Sequence, residues 1–197
     1  FCGDLMLESF NHYKNYINKS DFSNLPFANL VDKDFIFCTI HRQSNVDNKK
    51  NLENIVEALN QISDQIPVIL PLHHRTRKRI KQYGLKLRCN VIQPITYFET
   101  VKFLKKCKFV ITDSGGLVRE AFFSKKLSIC ILEKTMWPEI NHLNASIGCR
   151  PKSREIIKNF CELSKMRPNF KKKIFGTGNA SKKILKLIKS HYKKIKL

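Results

Sequence analysis

Five short apolar runs, each answered by a helical pattern, constrain this chain more than any other feature. The runs occupy residues 35–39, 68–72, 91–92, 109–112 and 128–132. Each is too short for a buried helix and bounded by turn-forming residues, which is how a strand buried on both faces reads. Between them lie stripes at helical spacing: Leu52, Ile55, Val56, Leu59 and Ile62; a basic segment from Thr76 to Tyr83 with Gly84 as its stop; and Tyr97 to Cys107 with Val101 and Leu104 inward. A further helix begins the chain, with Leu5, Met6, Phe10, Tyr13 and Ile17 on one face, and residues 20–26 read as a polar linker. Helices at about 153–166 and 180–191 close it. Strands alternating with helices imply an α/β fold, a Rossmann-like parallel sheet with helices on both faces.

Such sheets bind ligands beyond the C-terminal ends of their strands. The chemistry-bearing residues fall there: His41-Arg42 after the first run, His73-His74 after the second, and Asp113-Ser114-Gly115-Gly116 after the fourth. The last is the most specific, an apolar strand turning through two glycines into a helix that continues as Ala121-Phe122-Phe123. The first N–H groups of a helix lack partners and carry partial positive charge, and glycines allow an anion close approach. Ser114 is placed to cap that helix, and Glu120, one and a half turns on, to accept from sugar hydroxyls. His41 can shuttle a proton or donate to a phosphate, or equally cap the next turn, while Arg42 offers a fork of donors. The His73-His74 pair has no carboxylate partner nearby in sequence to suggest a metal. Arg75, Arg77, Lys78 and Arg79 read as solvated or as contacts to an acidic ligand, and Trp137-Pro138-Glu139 as a packed aromatic with a turn.

A formal net charge of +21 invites a nucleic-acid reading until it is localised. Residues 1–60 carry 6 basic and 8 acidic side chains, whereas residues 151–197 carry 15 and 2. The excess is almost all lysine, spread over helices, with no recognition motif of the usual nucleic-acid modules, so solvated lysine faces are the simpler account. The seven cysteines are scattered without a C-x-x-C pair. Cys38, Cys107 and Cys130 sit in or beside apolar runs, which favours a reduced, cytoplasmic setting and no metal. No apolar run is long enough to span a bilayer. Phe1 is not an initiator methionine, so a fragment or processed product is expected.

As a set, these residues resemble the C-terminal domain of the non-hydrolysing UDP-N-acetylglucosamine 2-epimerases. The matching pieces are Thr39-Ile40-His41-Arg42 with Asn45-Val46-Asp47 and Asn51-Leu52-Glu53-Asn54-Ile55, then Pro71-Leu72-His73 with Arg75-Thr76-Arg77-Lys78-Arg79. They continue through Thr112-Asp113-Ser114-Gly115-Gly116 with Glu120-Ala121, Thr135 with Trp137-Pro138-Glu139, and Gly176-Thr177-Gly178-Asn179-Ala180-Ser181. The resemblance implies the second half of a glycosyltransferase-B-like two-domain fold. Residues 1–20 would be the inter-domain crossing helix, and residues 21–197 the UDP-binding domain, with the N-terminal domain absent.

It further implies interconversion of UDP-GlcNAc and UDP-ManNAc by elimination and re-addition of UDP, with no cofactor, for surface-polysaccharide synthesis. Ser114, Gly115 and Gly116 would hold the diphosphate, Glu120 the ribose, and His41 would assist departure and return of UDP. Arg42 and His73 match positions associated with a second, activating UDP-GlcNAc. The implied partners are UDP-GlcNAc or UDP, the N-terminal domain in cis or trans, and a second copy in a homodimer, with neither membrane nor nucleic acid. The chain departs from the family pattern at Ser44, where Glu is usual, at Thr100, where an aromatic faces uracil and Phe98 is the neighbour, and at Lys125, Leu127, Leu132-Glu133 and Met136. The carboxylates proposed to handle the C2 proton belong to the absent half, so this chain alone is expected to be inactive. Two other readings stand beside this one. The first is the donor-binding domain of a glycosyltransferase or a hydrolysing epimerase on the same architecture. The second is a non-catalytic basic module that binds nucleic acid or another polyanion through residues 151–197.

Overall fold

The computed structural model describes residues 1–17, 33–133 and 136–195. The expected linker at 20–26 and Thr135 lie outside the described residues. The described residues form a six-stranded sheet, every pairing parallel, in the order β3-β2-β1-β4-β5-β6. Its strands are β1 (Ile36–Thr39), β2 (Val68–Pro71), β3 (Asn90–Ile92), β4 (Phe109–Thr112), β5 (Leu127–Ile131) and β6 (Ser146–Cys149). The helices are α1 (Leu5–Ile17), α2 (Gln43–Val46), α3 (Lys49–Ser63), α4 (His74–Gln82), α5 (Tyr97–Lys106), α6 (Gly115–Phe123), α7 (Pro138–His142), α8 (Ser153–Leu163) and α9 (Ala180–Ile195).

The two faces of the sheet are built by the alternation of strand side chains. In β1, Ile36 and Cys38 enter a core with α3 and α8 (Leu52, Ile55, Leu59, Ile156), while Phe35 and Phe37 enter the opposite one with α1, α5 and α6 (Phe10, Val101, Phe103, Leu117). Phe37 stacks on Phe103 with centroids 5.3 Å apart. Burying each such ring contributes about 1.5–3 kcal/mol. A third cluster, with Phe122, Ile140 and Phe175, closes the β5–β6 side. All of the expected α3 stripe is buried, as are Cys38, Cys107 and Cys130.

Several boundaries differ from the sequence expectation, each for a local reason. The basic helix starts at His74 because the His73 side chain caps it, accepting from Arg75 N at 3.3 Å. The segment after Leu163 turns away, so α8 stops short of Met166, whereas α9 runs past His191 to Ile195. Trp137-Pro138-Glu139 opens the short helix α7, with Pro138 at its first turn, where a missing N–H costs nothing. The sixth strand was not expected. It pairs with β5 and is pinned by a 3.0 Å bond between Ser128 Oγ and Ser146 Oγ.

Helices α4, α6 and α7 end alike, in a left-handed residue whose N–H and the next close the last turn. These residues are Gly84 (φ 65), Lys125 (φ 58) and Asn144 (φ 52). Glycine and asparagine take this conformation readily, but lysine does so at a steric cost. The departure at Lys125 therefore preserves the turn.

Candidate functional site

In the strand order 3-2-1-4-5-6, successive connections reverse direction between β1 and β4, and a crevice opens beyond their C-terminal ends. The two strands run in register to their last residues, Thr39 opposite Thr112, whose hydroxyls bond at 2.7 Å. His41-Arg42 follow one strand and Asp113-Ser114 the other, so residues 72 positions apart share one edge.

Asp113 builds that edge. It is 1% exposed, and its carboxylate accepts from His41 N (3.1 Å), Arg42 N (2.8 Å) and Asn45 Nδ2 (3.2 Å). A buried carboxylate is tolerable only with such donors. Asn45 also donates to Ile131 O at 3.1 Å, tying α2 to the end of β5. The loop after β1 is thus folded back over β4. This presents the His41 side chain at 49% exposure, with Nδ1 3.7 Å from Asp113 Oδ1. Sequence patterning singles out the stretch containing Asp113 without finding this role. A lone carboxylate following the apolar Phe109–Ile111 and Thr112 is the available signal.

The turn into α6 matches its reading as a capped helix start. Ser114 is the N-cap, its Oγ accepting from Leu117 N at 3.4 Å and its own N–H bonding Thr112 Oγ1 at 3.0 Å. The N–H groups of Gly115 and Gly116 make no hydrogen bond among the described residues, which leaves two donors at the positive end of a nine-residue helix. Trp137 Nε1 donates to Gly115 O at 2.8 Å and fixes the loop after β5 beside the turn.

Glu120 lies deeper, 6% exposed, with burial raising its carboxyl pKa; the approach of the Tyr97 hydroxyl and, less, the Arg119 charge pull it the other way. Tyr97, at the start of α5, lies beside it, and its phenol pKa is pushed up by burial and by the Glu120 charge. The Tyr97 hydroxyl is buried without a hydrogen bond of good geometry among the described residues. Glu120 and Tyr97 thus form a polar pair with spare hydrogen-bonding capacity inside an otherwise apolar layer.

At the neighbouring strand end, His73 caps α4 through Nδ1, and its ring lies 4.0 Å from that of His74. Desolvation, reinforced by His74, His41 and Arg75, holds its imidazole below the usual histidine range. Thr76 Oγ1 donates to Ile40 O at 2.8 Å and draws α4 against the loop carrying His41. The structure therefore gathers His41, Arg42, Ser114, Gly115 and Gly116 at the β1–β4 crevice, with His73 at its flank and Glu120 below. Two of the basic side chains read as solvated or as contacts to an acidic ligand are partly exposed and paired within the chain. Arg75 and Arg79 both pair with Asp47, whose carboxyl is held low first by the Arg75 hydrogen bond and then by Arg79.

Midway along α6, the start of α1 is tied in. Asp4 N donates to Phe175 O at 3.0 Å, and Asp4 Oδ2 pairs with Arg119 Nη1 at 2.6 Å. Among the described residues no group of three or more His, Cys, Asp or Glu side chains is placed to hold a metal ion.

An open parallel sheet with two helix-start donors at its switch point defines a Rossmann-like α/β domain. The chain belongs to the UDP-N-acetylglucosamine 2-epimerase family, whose model matches residues 1–189. A UDP-N-acetylglucosamine 2-epimerase homolog of Methanococcus maripaludis is 32% identical over 95% of this chain and 54% of its own length. The UDP-2,3-diacetamido-2,3-dideoxy-D-glucuronate 2-epimerase of Pseudomonas aeruginosa is 42% identical over 62% of this chain and 35% of its own length. Among solved structures, the Methanocaldococcus jannaschii UDP-GlcNAc 2-epimerase in complex with UDP-GlcNAc and UDP superposes with a TM-score of 0.86 at 28% identity, over 95% of this chain and 54% of that one. The chain spans about half the length of the curated relatives it matches, and less of the Pseudomonas protein.

Proposed function

We propose that this chain is the UDP-binding half of a UDP-N-acetylglucosamine 2-epimerase. The observation that carries the reading is the pair of N–H groups at Gly115 and Gly116, without a partner among the described residues, at the switch point of a sheet that superposes on a relative holding UDP-GlcNAc and UDP. Ser114, Gly115 and Gly116 take the diphosphate, and the buried Glu120 accepts from the ribose hydroxyls. In the forward direction the C2 proton goes to a base on the N-terminal half. The C1–O bond breaks with its electron pair leaving on UDP, and a glycal remains. Return of UDP to C1 with a proton delivered to the other face of C2 completes the inversion. His41 lies where charge develops on the departing diphosphate, and a donor there stabilises the transition state more than the ground state. Arg42 and His73 serve a second nucleotide-sugar at the flank of the same crevice. The active enzyme on this reading needs the N-terminal half, in cis or in trans, and works as a cytoplasmic homodimer feeding polysaccharide synthesis.

The test is calorimetric titration of the chain with UDP, alone and with an N-terminal half supplied. UDP binds the parent, and Ser114→Ala or Glu120→Ala removes the heat. A silent titration with both halves present sinks the proposal. Product analysis then separates the chemistries: UDP-ManNAc for epimerisation, free ManNAc and UDP for hydrolysis, a glycosylated acceptor for transfer. The 42% identity to the Pseudomonas enzyme favours a second reading, the same C2 inversion on a 2,3-diacetamido uronate. Offering both sugar nucleotides to the two-domain enzyme decides between them.

A further inference from the structure

A side chain of the chain itself, Met136, packs on Gly115 in the turn into α6. A β-carbon placed on Gly115 would fall 2.6 Å from Met136 Sδ and 3.1 Å from its methyl, so only glycine leaves this sulfur room to sit there. The same sulfur accepts from Arg42 Nη1 at 3.5 Å. Met136 therefore stands between the guanidinium at the end of β1 and the helix start after β4, two cationic or donor-rich groups that face one crevice. Its backbone is anchored by the next residue: Trp137 bonds Gly115 O, and the Arg119 guanidinium lies 4.5 Å from the indole centroid. The methionine side chain itself is 48% exposed and unbranched, with a free path outward.

We infer that Met136 is a displaceable gate on the anion site. Arg42 donates to the thioether, which therefore competes for the guanidinium with any other acceptor in the crevice. A diphosphate held by Ser114–Gly116 pushes the thioether aside and competes with it for the Arg42 guanidinium, which lies where this position adjoins that of the second nucleotide-sugar. A thioether is a weak acceptor, whereas a phosphate offers Arg a charge-assisted, two-pronged partner, so the exchange runs toward phosphate at the cost of the methionine contacts. The gate acts on the diphosphate and not on the nucleoside. It rests on the assignment of Ser114–Gly116 to the diphosphate.

The experiment compares UDP and uridine binding to the parent, Met136→Ala and Met136→Gln by calorimetry at fixed salt. Met136→Ala removes the obstruction and tightens UDP roughly fivefold, equivalent to a competing contact of about 1 kcal/mol. Met136→Gln keeps the reach and offers Arg42 a stronger acceptor, so UDP weakens relative to the parent. Uridine binding is the same in all three. UDP affinity that is unchanged or lower in Met136→Ala overturns the gate, as does an equal gain for uridine or a Met136→Gln variant as tight as Met136→Ala. If UDP binds the parent without these differences, only the gate fails; if it binds none of the three, the diphosphate assignment fails and the gate goes with it.

Discussion

The β1–β4 crevice and helix α9 are both rich in polar side chains, and they hold them in opposite ways. At the crevice, one carboxylate is sealed from water and saturated by three donors from a loop more than sixty residues away. Along α9, Lys182, Lys183, Lys186 and Lys189 are exposed, and Leu185, Leu187 and Ile188 beside them are each more than half exposed. Charge density alone would direct attention to the second region. Burial and hydrogen-bond saturation direct it to the first, because only there does the fold spend desolvation free energy to fix a geometry.

The sharpest way to break this contrast is Asp113→Ala. It leaves the His41 and Arg42 amides and the Asn45 side chain without their acceptor, and should cost about 3–5 kcal/mol in urea unfolding. A loss below 1 kcal/mol would mean that the crevice is no better built than the helix. Next comes Glu120→Gln. Burial raises the Glu120 carboxyl pKa in the folded state, so its ionisation weakens the fold: the unstrained condition lies below the unfolded value, and stability drops as pH rises through the folded one. The glutamine variant should match the parent near pH 4 and become the more stable of the two as pH increases, in thermal melts across that range. Equal stability at all pH values would place Glu120 with the exposed charges.

Lys125→Gly relieves a left-handed lysine at the end of α6 and should gain about 0.5–1 kcal/mol. Smallest of all, Lys186→Gln with Lys189→Gln should alter stability by less than about 0.5 kcal/mol. The same pair tests the polyanion alternative. Affinity for a DNA duplex that drops in this variant, falls steeply with salt and survives Ser114→Ala would give α9 a binding role of its own.

Much of this was legible in the residues. Five strands announce themselves because a strand covered on both faces must be apolar throughout, and the α3 stripe is fixed by its period. Ser146-Ile147-Gly148-Cys149 carries no such signal; it becomes a strand because β5 offers it a ladder and Ser128 a hydroxyl. The strand ends could be placed on one edge by counting, so the gathering of His41, Arg42, Ser114 and the two glycines was foreseeable. The partners of Asp113 were not, since a carboxylate saturated by amides far along the chain leaves no local pattern. The pairing of Arg75 and Arg79 with Asp47 escaped for the same reason: two helical arginines look alike whether they meet water or an acid in another segment.

The hold of Asp113 on the loop after β1 also bears on how the molecule breathes. Amides on a surface loop usually trade their protons with solvent through small, local openings. Those of His41 and Arg42 end on a buried carboxylate just past the tip of a central strand, so releasing them exposes that carboxylate without its donors. Their deuterium uptake should be slower than that of other exposed loop amides, and Asp113→Ala should abolish the difference.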